Sequence, residues 1–194
     1  MTDYYIILAS GSPYRRALLE RLGLAFTAWS PDIDEHALAG EKPHATAVRL
    51  ARAKAEAARS RFPRALIIGS DQIADLDGEA IGKPGSREAA RSQLRRLSGK
   101  TVLFHTALCL LEAASARRHE RVVTTPVVYR ALADRDIDRY LARENALDCA
   151  GSAKIEGLGV ALVARVGGDD PTALVGLPLI ALGELLRAEG IAVP

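Results

Sequence analysis

Short, unbroken apolar stretches alternate along the chain with segments in which apolar residues recur at helical spacing. Unbroken stretches predict buried strands at Tyr4–Ala9 and Ala65–Gly69. An apolar face with a period of 3.6 residues predicts helices at Pro13–Leu22 and Thr46–Arg61. The same two patterns predict the remaining elements: strands Phe26–Trp29, Thr101–Glu112, Arg121–Arg130 and Val160–Val166, and helices Ser86–Leu97, Ala133–Arg143 and Leu179–Glu189.

Turn signals connect these elements and indicate the fold class. Asp77-Gly78 is typical of a tight β-hairpin, and Gly82-Lys83-Pro84 ends that hairpin. Ser86 is suited to cap the helix that follows it. Strands and helices alternate early and a long hairpin occupies the middle, which predicts a mixed α/β fold with two lobes around a cleft. Because no linker or internal repeat interrupts the pattern, we expect a single domain over residues 1–194.

Composition narrows the function classes. The chain has 194 residues, of which 48% are hydrophobic and 26% charged, as in an ordinary globular protein. A net charge of +2 gives no strong field for nucleic acid or a membrane surface, and 5% aromatic residues are too few for a base-stacking surface. The two cysteines form no CxxC motif, and we find no signal peptide or membrane span, so we expect a cytoplasmic protein.

The first polar cluster follows the first predicted strand. Ser10, Gly11 and Ser12 precede a helix, so free backbone N–H groups at the helix start would face an anion, and Arg15 adds a guanidinium suited to phosphate. The sequence "SGSPYRR" matches neither a P-loop nor GxGxxG. Taken alone, it is equally compatible with a capped helix and solvated arginines.

Further polar residues stand at other element ends. Asp71 directly follows the second buried strand, where a carboxylate either binds a metal or activates water, or caps a turn. Gln72 beside it could contact a base edge or satisfy backbone groups. Lys54 in the alanine-rich helix and Lys83 in "GKP" are candidate phosphate ligands, although most lysines are solvated surface residues.

Together these segments resemble the Maf family of nucleoside triphosphate pyrophosphatases, and the resemblance covers nearly the whole chain. Its motifs occur in the family's order: "LASGSPYRRALLERLG", "DIDE", "LARAKA", "IIGSDQ", "GKP", "CAGSAKIEGLG" and "DPTALVGLPL". The resemblance implies an inosine-triphosphatase-like fold, in which a mixed sheet with flanking helices forms two lobes around a substrate cleft. It also implies a homodimer, a divalent cation (Mg²⁺ or Mn²⁺), and hydrolysis between the α- and β-phosphates of a nucleotide.

The resemblance assigns roles to individual residues. Asp71 matches the family's proton acceptor, and Glu35 in "DIDE" is the candidate metal ligand, with Asp71 sharing the ion. Hydroxyl and cationic groups would bind the triphosphate: Ser10, Ser12, Arg15, Lys54 and Lys83.

Three residues bear on the choice of base. Tyr14, Gln72 and Glu156 are similar to the subgroup that acts on 7-methyl-GTP, in which an aromatic ring attracts the positively charged base. Tyr14 departs from the subgroup, which more often has Trp there, and Ala107 stands where glycine is common. The expected preference is 7-methyl-GTP, then GTP, UTP and CTP.

Two other function classes stay open on the sequence alone. A nucleotide-sensing regulator of cell division would bind without turnover, although the presence of Asp71, Lys54 and Lys83 favours catalysis. A small RNA-binding module is supported only by the arginines. We therefore expect a nucleoside triphosphate as the ligand, and neither nucleic acid nor a membrane as a partner.

Overall fold

The computed structural model describes residues 5–193, which form one mixed sheet with helices on both faces. The strands are β1 Tyr5–Ala9, β2 Phe26–Trp29, β3 Ala65–Leu76, β4 Glu79–Ile81, β5 Thr101–Glu112, β6 Arg118–Tyr129 and β7 Val163–Val166. The helices are α1 Pro13–Glu20, α2 Pro43–Arg59, α3 Arg87–Leu97, α4 Asp134–Leu141 and α5 Leu179–Ala188.

The sheet order confirms the mixed α/β prediction. Six of the seven strands follow the order β2-β1-β3-β5-β6-β7, and the seventh, β4, pairs with the far end of β3. Strand β1 runs parallel to both β2 and β3, whereas every other pairing is antiparallel. The helical connections between parallel strands and the tight turns between antiparallel ones account for this division.

Side-chain alternation along β1 separates two apolar layers. Ile6 and Leu8 pack with α1 and α5 on one face, and Ile7 and Ala9 pack with α2 on the other. We call β1, β2 and the adjoining ends of β3 and β5, together with α1, α2 and α5, the first half of the fold. The second half contains β4, β6, β7 and the other ends of β3 and β5, packed against α3 and α4 around residues such as Phe104.

Several turn predictions are confirmed. Asp77 and Gly78 both have positive φ, 57° and 88°, as a two-residue hairpin loop of this type requires. The Ser86 hydroxyl accepts a hydrogen bond of 3.1 Å from the backbone N–H of Ala89, so Ser86 caps α3. Within residues 5–193, no helix is both long and apolar enough to cross a membrane.

Two strand predictions need correction. Strand β3 does not end at Gly69 but continues to Leu76, so Asp71 lies inside a strand instead of after one. The segment Leu158–Leu162 is a 3₁₀ helix, and β7 begins only at Val163, because a short apolar run does not distinguish strand from helix. The predicted strand start at Tyr4 lies outside the described residues.

Candidate active site

A cleft of about 550 Å³ opens between the two halves of the fold. Leu50 of α2 lines it from the first half, and Ile81 and Phe104 line it from the second. The structure brings all ten predicted site side chains to this one cleft: Ser10, Ser12, Tyr14, Arg15, Glu35, Lys54, Asp71, Gln72, Lys83 and Glu156.

The turn after β1 forms the narrow entry to α1. The Ser12 hydroxyl accepts from the backbone N–H of Arg15 at 3.4 Å, which makes Ser12 the helix cap, and Pro13 begins the helix. The Ser10 hydroxyl accepts from the Ser12 N–H at 3.2 Å. Because both hydroxyls act as acceptors here, each retains its own proton for an anionic ligand. A Cβ at Gly11 would lie 2.7 Å from the Ser30 hydroxyl, so any larger residue at this bend would require the Ser30 side chain to move.

Arg15 carries a positive charge into the cleft without a carboxylate partner. Its Nε donates to the Gly176 carbonyl oxygen at 2.8 Å and its guanidinium donates to the Ser10 hydroxyl at 3.4 Å. No Asp or Glu among residues 5–193 forms an ion pair with it, in contrast to Arg16, which pairs with Glu20 on the surface. Burial lowers the pKa of the Arg15 guanidinium, so an anion would relieve an electrostatic cost.

Lys54 joins the two acidic side chains of the site. Its Nζ lies 2.5 Å from Asp71 Oδ1 and 2.6 Å from Glu35 Oε1. Lys54 and Asp71 are buried because α2 packs on the strand face that carries Asp71, whereas the Glu35 side chain is 54% exposed. Burial opposes ionisation of Glu35, yet the hydrogen bond and charge of Lys54 lower the pKa of this carboxyl below its usual value.

Glu35 and Asp71 have the chemistry of a hard-cation site. Mg²⁺ is commonly held by one or two carboxylates together with phosphate oxygens and water. In the part of the chain that the structure describes, no three acidic, histidine or cysteine side chains converge as a closed metal site would need. The two carboxylates therefore fit a divalent ion that completes its shell with substrate and water.

The loop that carries Glu35 is anchored by a second ion pair. Arg49 of α2 donates to both carboxylate oxygens of Glu41, at 2.8 and 2.9 Å, and also to the His36 carbonyl at 2.8 Å. The hydrogen bond from Arg49 lowers the pKa of Glu41 to about 2. This pair fixes the loop directly after Glu35.

Tyr14 and Glu156 line the cleft together with Asp148. The Tyr14 hydroxyl donates to Asp148 at 3.3 Å, and the ammonium of Lys154 lies 5.3 Å from the centre of the Tyr14 ring. Asp148 was not predicted from the sequence, and although Lys154 belongs to the segment "CAGSAKIEGLG", only the fold brings it to Tyr14. Glu156 is exposed and lines the cleft.

Gln72 is tied to the cleft wall by its amide nitrogen. That nitrogen lies 2.9 Å from the Thr106 hydroxyl oxygen, 2.9 Å from the Ala173 carbonyl and 3.1 Å from the Leu174 carbonyl. Two N–H protons thus serve three acceptors, and only the amide oxygen remains for a ligand. Thr106 is a further residue that the sequence did not indicate, since a threonine in an apolar strand has no distinguishing pattern.

The chain is similar to known proteins along almost its whole length. The family model for "Maf-like protein" matches residues 5–189. A protein of Cupriavidus pinatubonensis named 7-methyl-GTP pyrophosphatase is 57% identical over 185 residues, covering 95% of this chain and 93% of the relative. Similar proteins with the same name occur in Xanthomonas campestris pv. campestris (54% over 189 residues, 97% and 98% covered) and Methylobacillus flagellatus (51% over 188 residues, 97% and 98% covered).

Proposed function

Because the chain belongs to the Maf-like protein family, we propose that it hydrolyses 7-methyl-GTP between the α- and β-phosphates, giving 7-methyl-GMP and pyrophosphate. The observation that carries this proposal is the Arg15 guanidinium, free of an ion pair among residues 5–193, in a cleft that is also lined by Tyr14 and Glu156. An anionic group and a nucleobase are the two ligands that these side chains suit. The names of the relatives support the same substrate.

The phosphate end provides three cations and two hydroxyl donors. Arg15 and Lys83 face the cleft without ion-pair partners among residues 5–193, so they neutralise the triphosphate directly. Ser10 and Ser12 donate their hydroxyl protons to phosphate oxygens. Lys54 holds Glu35 and Asp71 on one side of the bound triphosphate.

Asp71 is the general base of this proposal. Its carboxylate takes the proton from a water molecule as the water oxygen attacks the α-phosphorus. The bond from the α-phosphorus to the α–β bridging oxygen breaks, and pyrophosphate leaves with that oxygen. Burial between β3 and α2 and the contact with Lys54 fix the orientation of the carboxylate.

Glu35 and Asp71 would hold a divalent cation, Mg²⁺ or Mn²⁺. When bound, such an ion lowers the pKa of coordinated water and neutralises charge that develops on the phosphates. The acidic pair alone would repel the triphosphate, so a cation there also removes an electrostatic barrier to binding.

The base end discriminates by charge and by hydrogen bonding. Tyr14 stacks on the base, and a positively charged 7-methylguanine gains cation–π attraction from the ring. Glu156 accepts hydrogen bonds from the N1–H and 2-amino groups of guanine. The amide oxygen of Gln72 is the other acceptor at this end, because its nitrogen is occupied by the wall.

Pyrophosphate release from a panel of nucleoside triphosphates, with Mg²⁺ or Mn²⁺, tests the function. We expect 7-methyl-GTP to be the best substrate and Asp71→Asn to lower kcat by about 10²–10⁴-fold. Asp169→Asn is the matched control, since Asp169 is exposed and lies outside the cleft. Preference for UTP would contradict the assignment of 7-methyl-GTP as substrate but not the hydrolysis between the α- and β-phosphates. Binding without release from any nucleotide would instead favour a sensor.

We also propose that residues 1–194 form a single Maf-like domain that acts as a cytoplasmic homodimer. The family resemblance supports this assembly, and Leu158, Val160 and Val166 expose apolar surface beside the edge strand β7. Light scattering of the purified chain would distinguish a dimer of twice 20.7 kDa from a monomer.

A further inference from the structure

The backbone carbonyls of residues 173–176 are the meeting point of side chains from three separate elements. This segment connects the turn after β7 to α5 and forms part of the cleft wall. The Ala173 carbonyl accepts from the Thr106 hydroxyl and from the Gln72 amide, both at 2.9 Å. The Gly176 carbonyl accepts from Arg15 Nε at 2.8 Å and from the Ser70 hydroxyl at 3.1 Å.

Thr106 and Ser70 cannot act on a ligand directly. Both side chains are fully buried, and neither lines the cleft. Each uses its single hydroxyl proton on a backbone carbonyl, although Ser70 shares its proton between Gly176 and the Ala107 carbonyl at 2.9 Å. Their hydrogen bonds therefore act on the position of the segment.

The segment in turn determines where Arg15 lies. Gly176 has a φ of 122°, a conformation that other residues rarely adopt. Its Cα packs against the Arg15 side chain, since an added Cβ would lie 3.5 Å from Arg15 Nε. Near the segment, Asp170 accepts from the Ile180 N–H at 2.8 Å and fixes the start of α5. The Ser70 hydroxyl thus holds the Gly176 carbonyl and the Thr106 hydroxyl holds the start of the segment, so the guanidinium meets a fixed acceptor.

We propose that Thr106 and Ser70 are positioning residues that hold segment 173–176 so that the Gly176 carbonyl directs the Arg15 guanidinium at phosphate. This inference rests on the proposed function, because it takes Arg15 as a phosphate ligand. A long arginine side chain loses rotamer freedom when it binds, and a carbonyl that already holds Nε removes part of that loss. Ser70 therefore acts on phosphate affinity and not on the choice of base, whereas Thr106 also accepts a hydrogen bond from Gln72.

The test compares Thr106→Val and Ser70→Ala with the unchanged protein. Inorganic tripolyphosphate is the calorimetric probe, because its binding requires neither a base nor turnover. One net hydrogen bond corresponds to a change of roughly 2–10-fold in affinity. We expect each variant to raise the tripolyphosphate Kd by about that factor, and Ser70→Ala to raise KM by the same factor for every nucleotide hydrolysed.

Thr125→Val is the matched control. Thr125 is a buried threonine on the neighbouring strand β6, and its hydroxyl has no hydrogen-bond partner among residues 5–193. The same change of side chain at this position should leave the tripolyphosphate Kd unchanged.

Arg15→Lys separates positioning from a general loss of structure. Lysine keeps the charge but lacks the Nε–H that the Gly176 carbonyl accepts. In the Arg15→Lys background Thr106→Val should change the tripolyphosphate Kd less than about twofold. Damage to packing would not produce this non-additivity.

An undiminished effect of Thr106→Val in the Arg15→Lys background would overturn the proposal. So would an unchanged Kd in both single variants, a base-dependent change in the KM of Ser70→Ala, or a wild-type chain that does not bind tripolyphosphate. If Thr106→Val does not fold, Ser70→Ala is compared in the wild-type and Arg15→Lys backgrounds by the same criteria. If no nucleotide is hydrolysed, the proposed function fails while the Kd values still test positioning.

Discussion

Gly69 is the point at which helix α2 lies directly on strand β3. A Cβ atom at residue 69 would lie 2.2 Å from the carbonyl oxygen of Ala51 and 2.9 Å from the amide nitrogen of Ala55. Both are backbone atoms, so no side-chain rotation can relieve the overlap. Gly69→Ala therefore requires α2 to move away from the sheet by about 1 Å, which separates well-packed surfaces.

The size of the effect follows from this geometry. Overpacking a core costs typically about 1–3 kcal/mol, and an overlap with backbone belongs at the upper end. For a chain of this size, each 1 kcal/mol lowers Tm by roughly 2–4 °C, so we expect Gly69→Ala to melt about 6–12 °C below wild type. Because α2 also carries Lys54 to Asp71, the activity of the folded variant should fall as well.

Differential scanning calorimetry gives the measurement, and Gly82→Ala supplies the control. Gly82 has an ordinary φ, and no atom lies within 4 Å of the position that an added methyl group would occupy, so alanine fits there without strain. Both substitutions restrict the unfolded chain equally. The difference in Tm between the two variants therefore reports the overlap of the new Cβ at residue 69 with the backbone of α2. A Gly69→Ala protein that melts within about 2 °C of Gly82→Ala would refute this explanation of Gly69.

Two further predictions concern ionisable groups. The pKa of Glu41 is about 2 in the folded chain and near 4.5 when unfolded, so its pair with Arg49 stabilises the protein fully above pH 4.5 and is lost as pH falls towards 2. The Tm advantage of wild type over Glu41→Gln should accordingly shrink between about pH 6 and pH 3, and a constant difference would contradict this. Burial raises the pKa of both Cys109 and Cys149 to about 12, so alkylation by iodoacetamide at about pH 8 should be at least about 100-fold slower than in denaturant. A thiol that reacts equally fast in the folded protein and in denaturant would contradict its burial.

Periodicity predicted most of the elements but misjudged where strands end. Gly69, Ser70 and Asp71 have the composition of a turn, yet β3 continues through them because each faces a specific neighbour. Gly69 accommodates α2, Ser70 donates to two carbonyls and Asp71 meets Lys54. Small and polar residues within a strand can thus be required by packing on both of its faces.

The site was predictable to the extent that its residues belong to local motifs. The turn at Ser10 and the "GKP" segment stand out in the sequence, and the family resemblance supplied their roles. Thr106 and Asp148 have no such local signal, because their relation to the cleft depends on strand register and on contacts across the chain. Contacts of this kind are set by tertiary structure and lie outside the reach of a sequence window.

The hydrogen bond between Arg15 and Gly176 joins residues 161 positions apart. During synthesis from the N-terminus, a nascent chain therefore possesses "SGSPYRR", α2 and the whole of β3 long before it acquires the carbonyl that orients Arg15. Closing so large a loop is slow in comparison with forming the local helices. A growing chain on the ribosome consequently cannot form the contact that orients Arg15 in the nucleotide cleft until the segment around Gly176 has been translated.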